Sequence, residues 1–224
     1  MKIKIYSFAL LISIMTTTTF AQSDKKGAPA AKDHIVQVTT DYGSMKIKLY
    51  NETPKHRDNF LKLAKEGFYN GTLFHRVMSA FMLQGGDPDS KNAAPDKMLG
   101  AGDIGYTVPA EFNPALYHKK GALCAARRET PTKESSGCQF YIVQGKKYTD
   151  AELDQMEARA GIKYTADQRK VYTTVGGTPF LDMSYTVYGE VIEGMDVIDK
   201  ICAVPTKPGD RPVKDVKMTV KVIQ

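Results

Sequence analysis

Arg76 and Gln84 are the residues whose setting in this chain asks for chemistry. They stand in the stretch 74–87, Phe-His-Arg-Val-Met-Ser-Ala-Phe-Met-Leu-Gln-Gly-Gly-Asp, among Phe74, Val77, Met78, Phe81, Met82 and Leu83. A guanidinium set against apolar side chains is costly to desolvate, so it takes a partner or a substrate. The usual reactive groups are missing elsewhere. The four histidines, His34, His56, His75 and His118, lack a His or Cys at the three- or four-residue spacing of zinc ligands, so no metal site is expected. There is no Gly-x-Ser-x-Gly or phosphate loop, and Gly137-Cys138-Gln139 only opens an apparent strand. His75, between Phe74 and Arg76, reads as a structural histidine. What remains is a site without nucleophile, base or metal, made of one permanent cation, one amide and apolar and aromatic side chains.

Positioning such a site takes a rigid scaffold, and the hydrophobic pattern supplies strands. Residues 35–39 read as a strand. After the turn Asp41-Tyr42-Gly43-Ser44, Met45, Ile47 and Leu49 alternate with Lys46 and Lys48, the pattern of a hairpin with one wet face. Thr53 is placed to cap a helix with Pro54 in its first turn and Phe60, Leu61, Ala64 and Phe68 on one face, ending by Gly67 and Asn70-Gly71. Residues 87–120 form a long surface loop by their Gly, Pro, Asn and Asp content. Short apolar runs at 121–126, 139–143 and 185–191 predict further strands, 195–201 a short helix, and the alternation at 216–222 a closing strand. Strands at both ends and between predict a mainly β fold, a closed antiparallel barrel without open edges. One helical insertion, about 149–177, interrupts it. Thr149 with Glu152 and Thr165 with Gln168 fit two capping boxes, with Gly161 and Gly176-Gly177 as stops. It is either a solvated connection or a wall beside the site, since it runs directly into Thr178-Pro179-Phe180-Leu181.

Outside the domain, residues 1–21 read as a signal peptide: Lys2 and Lys4 precede an apolar run too short for a membrane span, and small residues lead to Ala21. Residues 22–33 read as a flexible leader, and 34–224 as the folded domain. The expected location is exported, periplasmic or secreted. The formal charge of +6 is spread along the chain with no cluster of cations and aromatics, so no nucleic-acid partner is expected. Cys124, Cys138 and Cys202 are an odd number for an exported chain; they read as small buried residues, with a Cys124 to Cys138 bridge as the alternative.

Phe74-His75-Arg76, Phe81-Met82 and Gln84-Gly85-Gly86-Asp87 closely resemble the cyclophilin peptidyl-prolyl isomerases. Gly121-Ala122-Leu123 with Ala125-Ala126, Ser136-Gly137-Cys138-Gln139-Phe140-Tyr141, and Leu181-Asp182 with Tyr188-Gly189-Glu190-Val191 extend the resemblance in the same order. It implies an eight-stranded closed barrel capped by two α-helices, with an outer groove that takes proline-containing polypeptides and needs no cofactor. Carried over by position, Arg76 matches the catalytic arginine. Phe81, Met82, Phe140 and Leu181 match the proline pocket, and Gln84, Gln139 and Ala126 match other groove residues. Phe180 stands where eukaryotic members have tryptophan, Tyr185 where they have histidine, and Arg127 where they have an asparagine that offers its backbone. The chain has no tryptophan. The pattern looks bacterial, and it implies weaker cyclosporin binding; the expected state is a monomer.

Three functions compete on these residues. A prolyl isomerase assisting the folding of exported proteins leads. A peptide-binding chaperone or scaffold with the same groove and no turnover is the alternative, and a carrier of apolar ligands is disfavoured because small barrels fill their interiors with side chains.

Overall fold

The computed structural model describes residue 1 and residues 33–224; nearly all of the expected signal peptide and of the expected leader lies outside the described residues. The chain opens with the expected hairpin, β1 (His34–Thr40) and β2 (Gly43–Leu49). Val36 faces Ile47 and Val38 faces Met45, and all four are fully buried. β3 (Phe74–Met78), β4 (Met82–Gly85), β6 (Ala122–Ala125), β8 (Phe140–Val143), β9 (Val187–Glu193) and β10 (Thr219–Val222) complete one eight-stranded antiparallel sheet in the order β10-β1-β2-β9-β6-β8-β4-β3. Two short strands, β5 (Thr107–Val108) and β7 (Ser135–Ser136), pair separately.

The sheet is not the closed barrel expected. It curls through 231° into an open half-barrel whose edges stay 11 Å apart. The edge strands explain this. Among the described residues β10 pairs only with β1 and β3 only with β4. The chain between them is tied by bonds such as Gly71 N–H to Met218 C=O and Phe74 N–H to Val216 C=O, and then Val77 N–H turns to the Asp210 carbonyl. A turn, in place of a strand, meets the outer half of β3.

Inside the curl, Phe60, Tyr69, Phe74, Leu83, Leu123, Phe140 and Ile142 pack with residues of α1 (Pro54–Lys65) and α4 (Met195–Cys202). Phe60 and Tyr69 stack at 4.8 Å, and Phe140 meets both edge-on at 5.4 and 5.5 Å. Thr53 precedes α1 as predicted but makes no side-chain cap, and its buried hydroxyl has no partner among the described residues. The cap comes from the long loop instead. Glu111 accepts from Lys55 N–H at 3.1 Å and from His56 N–H at 3.0 Å, and its carboxylate also meets His56 Nδ1 at 2.7 Å. An acidic group at a helix N-terminus satisfies free amides and complements the dipole.

The insertion holds α2 (Asp150–Ala160) and α3 (Ala166–Thr174), each opened by the expected capping box. Gly161 ends α2 at φ 65°, a left-handed conformation suited to glycine. Tyr148, Leu153, Tyr164 and Tyr172 form a small buried core of its own, extended by Tyr117, Met156 and Ile162. All three cysteines are buried and free, so the bridge weighed between Cys124 and Cys138 is not formed.

Candidate active site

Strand alternation gives the sheet a second apolar face, on its convex side. Met82, Ala122, Cys124, Ala126, Tyr141, Val143 and Val187 lie there, with Met78, Phe81, Leu181 and Tyr185 packed against them. At its centre is a pocket of about 140 Å³ lined by Arg76, Phe81, Met82, Gln84, Ala126, Arg127, Tyr141, Leu181 and Tyr185. Arg76 and Gln84 are register partners on β3 and β4, so neighbouring strands deliver both to one rim. Gly86, at φ 87°, ends this stretch against β8, and a Cβ there would collide with the Cys138 carbonyl.

The guanidinium of Arg76 is tethered and still available. Nε donates to Asp210 at 3.3 Å and Nη2 approaches the Met78 sulfur at 3.0 Å, while the side chain stays 40% exposed. Thioether sulfur is a weak acceptor, and Nη1 has no acceptor among the described residues. Gln84 is oriented by donating Nε2 to Gln139 Oε1 at 3.0 Å, and Gln139 donates in turn to the carbonyls of Gly100 and Gly102 at 3.0 and 2.7 Å. Gln139 therefore steers the pocket amide and lines an adjoining cavity of about 280 Å³. Arg127 lies 4.6 Å over the Tyr185 ring and donates Nε to the Ser184 carbonyl at 3.0 Å, which fixes Tyr185 at the pocket edge.

Two expected pocket residues stand elsewhere. Phe140 is in the inner core, 1% exposed, against Phe60, Tyr69 and Phe74. Its neighbour Tyr141 faces the groove, paired in register with Gln84 and Cys124. Phe180 is 52% exposed and sits on the rim, its ring 5.8 Å from that of Phe81.

Residues 35–222 match the family model for cyclophilin type peptidyl-prolyl cis-trans isomerases. The chain belongs to this family. Its activity is isomerisation of Xaa-Pro peptide bonds, in aid of protein folding. A Staphylococcus saprophyticus protein assigned this activity is 35% identical over 187 residues, 83% of this chain and 89% of its own length. A Staphylococcus aureus protein with the same assignment is 36% identical over 182 residues, 81% of this chain and 87% of its own. The fold is similar to that of a Cryptosporidium parvum cyclophilin type isomerase, with a TM-score of 0.65 at 22% identity over 86% of this chain and 99% of the other.

The cyclophilin groove here has no activated nucleophile beside it. Burial pushes the Cys124 thiol far up, and burial pushes Cys138 up to about 11. Burial also lowers His75 to about 4, against the opposing pull of Asp87, so it is neutral at pH 7. No group of three or more potential metal ligands occurs among the described residues.

Tyr141 is the pocket residue that motif reading missed. Consecutive strand residues face opposite sides, so Gln139 and Phe140 could not both face the groove, and the parity of Gln139 points to Tyr141. The other missed residue, Asp210, left no local signal: it meets Arg76 from 134 positions away.

Proposed function

We propose that the chain turns the Xaa-Pro bond between Arg76 and the apolar floor of this pocket, with exported polypeptides as its substrates. Such a bond turns slowly because twisting breaks amide resonance, with a barrier of about 18–20 kcal/mol. As it twists, the nitrogen lone pair localises and becomes a better acceptor. A donor aimed at that nitrogen binds the twisted state better than either planar one, and so lowers the barrier. Arg76 supplies that donor from Nη1, with the guanidinium plane set by Asp210. Phe81, Met82, Tyr141 and Leu181 hold the proline ring while the preceding carbonyl swings, and Gln84 anchors the substrate main chain. The observation that carries this reading is a tethered guanidinium with a free donor at the rim of an apolar pocket.

Export rests on Lys2, Lys4 and the apolar run that follows. Phe180 offers less ring surface than the tryptophan it replaces, so this reading includes only weak cyclosporin binding, and a monomer suffices because one chain contributes every pocket residue. The test is cis/trans exchange of an Ala-Pro peptide, followed by NMR with the mature protein. Catalysed exchange is expected. Peptide binding without acceleration would replace the isomerase with a peptide-binding chaperone.

A further inference from the structure

One side of the pocket comes from a loop in place of a strand. Residues 178–185 carry Phe180, Leu181 and Tyr185, and past Thr178, whose N–H reaches the His118 carbonyl at 2.8 Å, their own backbone bonds are all short-range: Leu181 N–H to Thr178, Asp182 N–H to Pro179 and Ser184 N–H to Leu181. Met183 sits at φ 58°, a conformation that costs a non-glycine residue about 1 kcal/mol or more. Such a loop does not keep its shape unaided, and its anchors come from outside.

Two of those anchors come from the insertion, and a third from His118. Tyr164, 6% exposed, donates its hydroxyl to the Pro179 carbonyl at 3.0 Å. Tyr172, fully buried on α3, donates to Asp182 Oδ2 at 2.5 Å. Asp182 Oδ1 accepts from His118 N–H at 2.9 Å and meets His118 Nδ1 at 2.7 Å, and His118 Nε2 reaches the Tyr141 hydroxyl at 2.9 Å. One buried carboxylate thus joins α3, the loop wall and the pocket floor. A buried carboxylate keeps its place only while its oxygens are satisfied.

We infer that Tyr164 and Tyr172 of the insertion are positioning residues for the proline pocket, holding the 178–185 wall against the Tyr141 floor without touching substrate. This rests on the isomerase reading of the pocket. Their loss leaves Arg76 and its donors where they are, and lowers the fraction of molecules whose wall is formed. Apparent affinity falls in proportion to that fraction while turnover of bound peptide is retained.

The absence of tryptophan permits a direct test. Phe180→Trp installs a single emitter in the wall, and Tyr164→Phe, Tyr172→Phe and Tyr148→Phe are each made with and without it. Tyr148 is the control, because it belongs to the same tyrosine core and makes no hydrogen bond to the wall. Peptide Kd and the exchange rate at saturating peptide come from NMR. Tyr164→Phe and Tyr172→Phe are expected to raise Kd roughly three- to tenfold, to leave the saturated rate within about twofold, and to red-shift the Trp emission. Tyr148→Phe should change none of these. Combined with Asp182→Asn, Tyr172→Phe should add little, since both cut one link. Kd and emission like those of Tyr148→Phe would overturn the proposal, even with a lower melting temperature, because that result is stability alone. Should Tyr172→Phe fail to fold, Tyr164→Phe decides by the same readouts. If the wild-type protein does not accelerate exchange, the isomerase reading fails, and the emission arm still decides whether the insertion holds the wall.

Discussion

Replacing Arg76 by alanine should remove most of the catalysis and little of the binding. The guanidinium is asked to stabilise one developing lone pair, and a single preorganised donor of this kind contributes about 2.7–4 kcal/mol in the transition state. Arg76 is 40% exposed and shares its Nε with Asp210 at 3.3 Å, so competing water places it at the lower end of that range. About 2.7 kcal/mol corresponds to a rate loss of roughly a hundredfold at saturating peptide. Kd should change by less than about threefold, because Phe81, Met82, Tyr141 and Leu181 keep the proline ring. Losing the Asp210 pair should cost the fold only about 0–1 kcal/mol, since both partners are more than a third exposed. Arg76→Lys separates charge from geometry. An ammonium keeps the charge but cannot hold Asp210 and donate to substrate through one rigid plane, so a loss of roughly tenfold is expected. The measurement is exchange NMR on an Ala-Pro peptide, with Kd from chemical-shift titration. A saturated rate for Arg76→Ala within about threefold of wild type would refute the mechanism. A loss carried wholly by Kd would refute it as well, because Arg76 would then bind planar and twisted states alike.

Three further outcomes follow from the same contacts. Phe140→Ala should cost about 3–5 kcal/mol in urea unfolding with the peptide Kd retained, whereas Tyr141→Ala should raise Kd; equal Kd values for both would contradict the assignment of the two faces. His75 is buried neutral with its pKa lowered from 6.5 to about 4, so the unfolded chain binds more protons between those values. The urea midpoint should therefore be highest above pH 6.5 and fall as pH drops toward 4. His75→Gln should make that slope shallower, with His56, also lowered by burial, supplying the remainder; an unchanged slope would refute the assignment. Glu152 is lowered from 4.5 to about 2 by the Thr149 backbone N–H first, then by Lys146 and the Thr149 hydroxyl. Its contribution to α2 is present above pH 4.5 and lost as pH falls through about 2, and Glu152→Gln should remove that step from hydrogen exchange of the first turn.

Where local chemistry dictated structure, residue order was enough to read it. The alternation at Met45, Ile47 and Leu49 is a strand because each second side chain enters the core, and the Thr149-Glu152 and Thr165-Gln168 boxes cap because both partners lie within one turn. The failures in the fold are long-range. Thr53 has the right type for a cap, yet Glu111 takes the position from more than fifty residues away. Closure of the barrel depended on whether β3 would meet β10, and the turn at Asp210 lies between them. Of the pocket, Arg76, Phe81, Met82, Gln84, Ala126, Arg127, Leu181 and Tyr185 come together as motif order indicated. Phe140 was misplaced by one residue, and in a strand one residue is the difference between two faces.

The two sides of the groove differ in construction, and this separates rate from affinity. Arg76, Met82, Gln84 and Tyr141 stand on β3, β4 and β8, whose ladders fix them within the sheet. Leu181 and Tyr185 stand on a loop whose shape is held by side chains of the insertion, by His118 and by Arg127. A donor that must meet a nitrogen only in the twisted state has to be rigid, because misplacement by about 1 Å can cost a hundredfold. A wall that must accept many polypeptides can move at less cost. Substitutions on the strand side should then act mainly on turnover, and those in the loop and its anchors mainly on Kd. The insertion lies behind the loop side, so changing it offers a way to alter substrate affinity while the geometry around Arg76 is preserved.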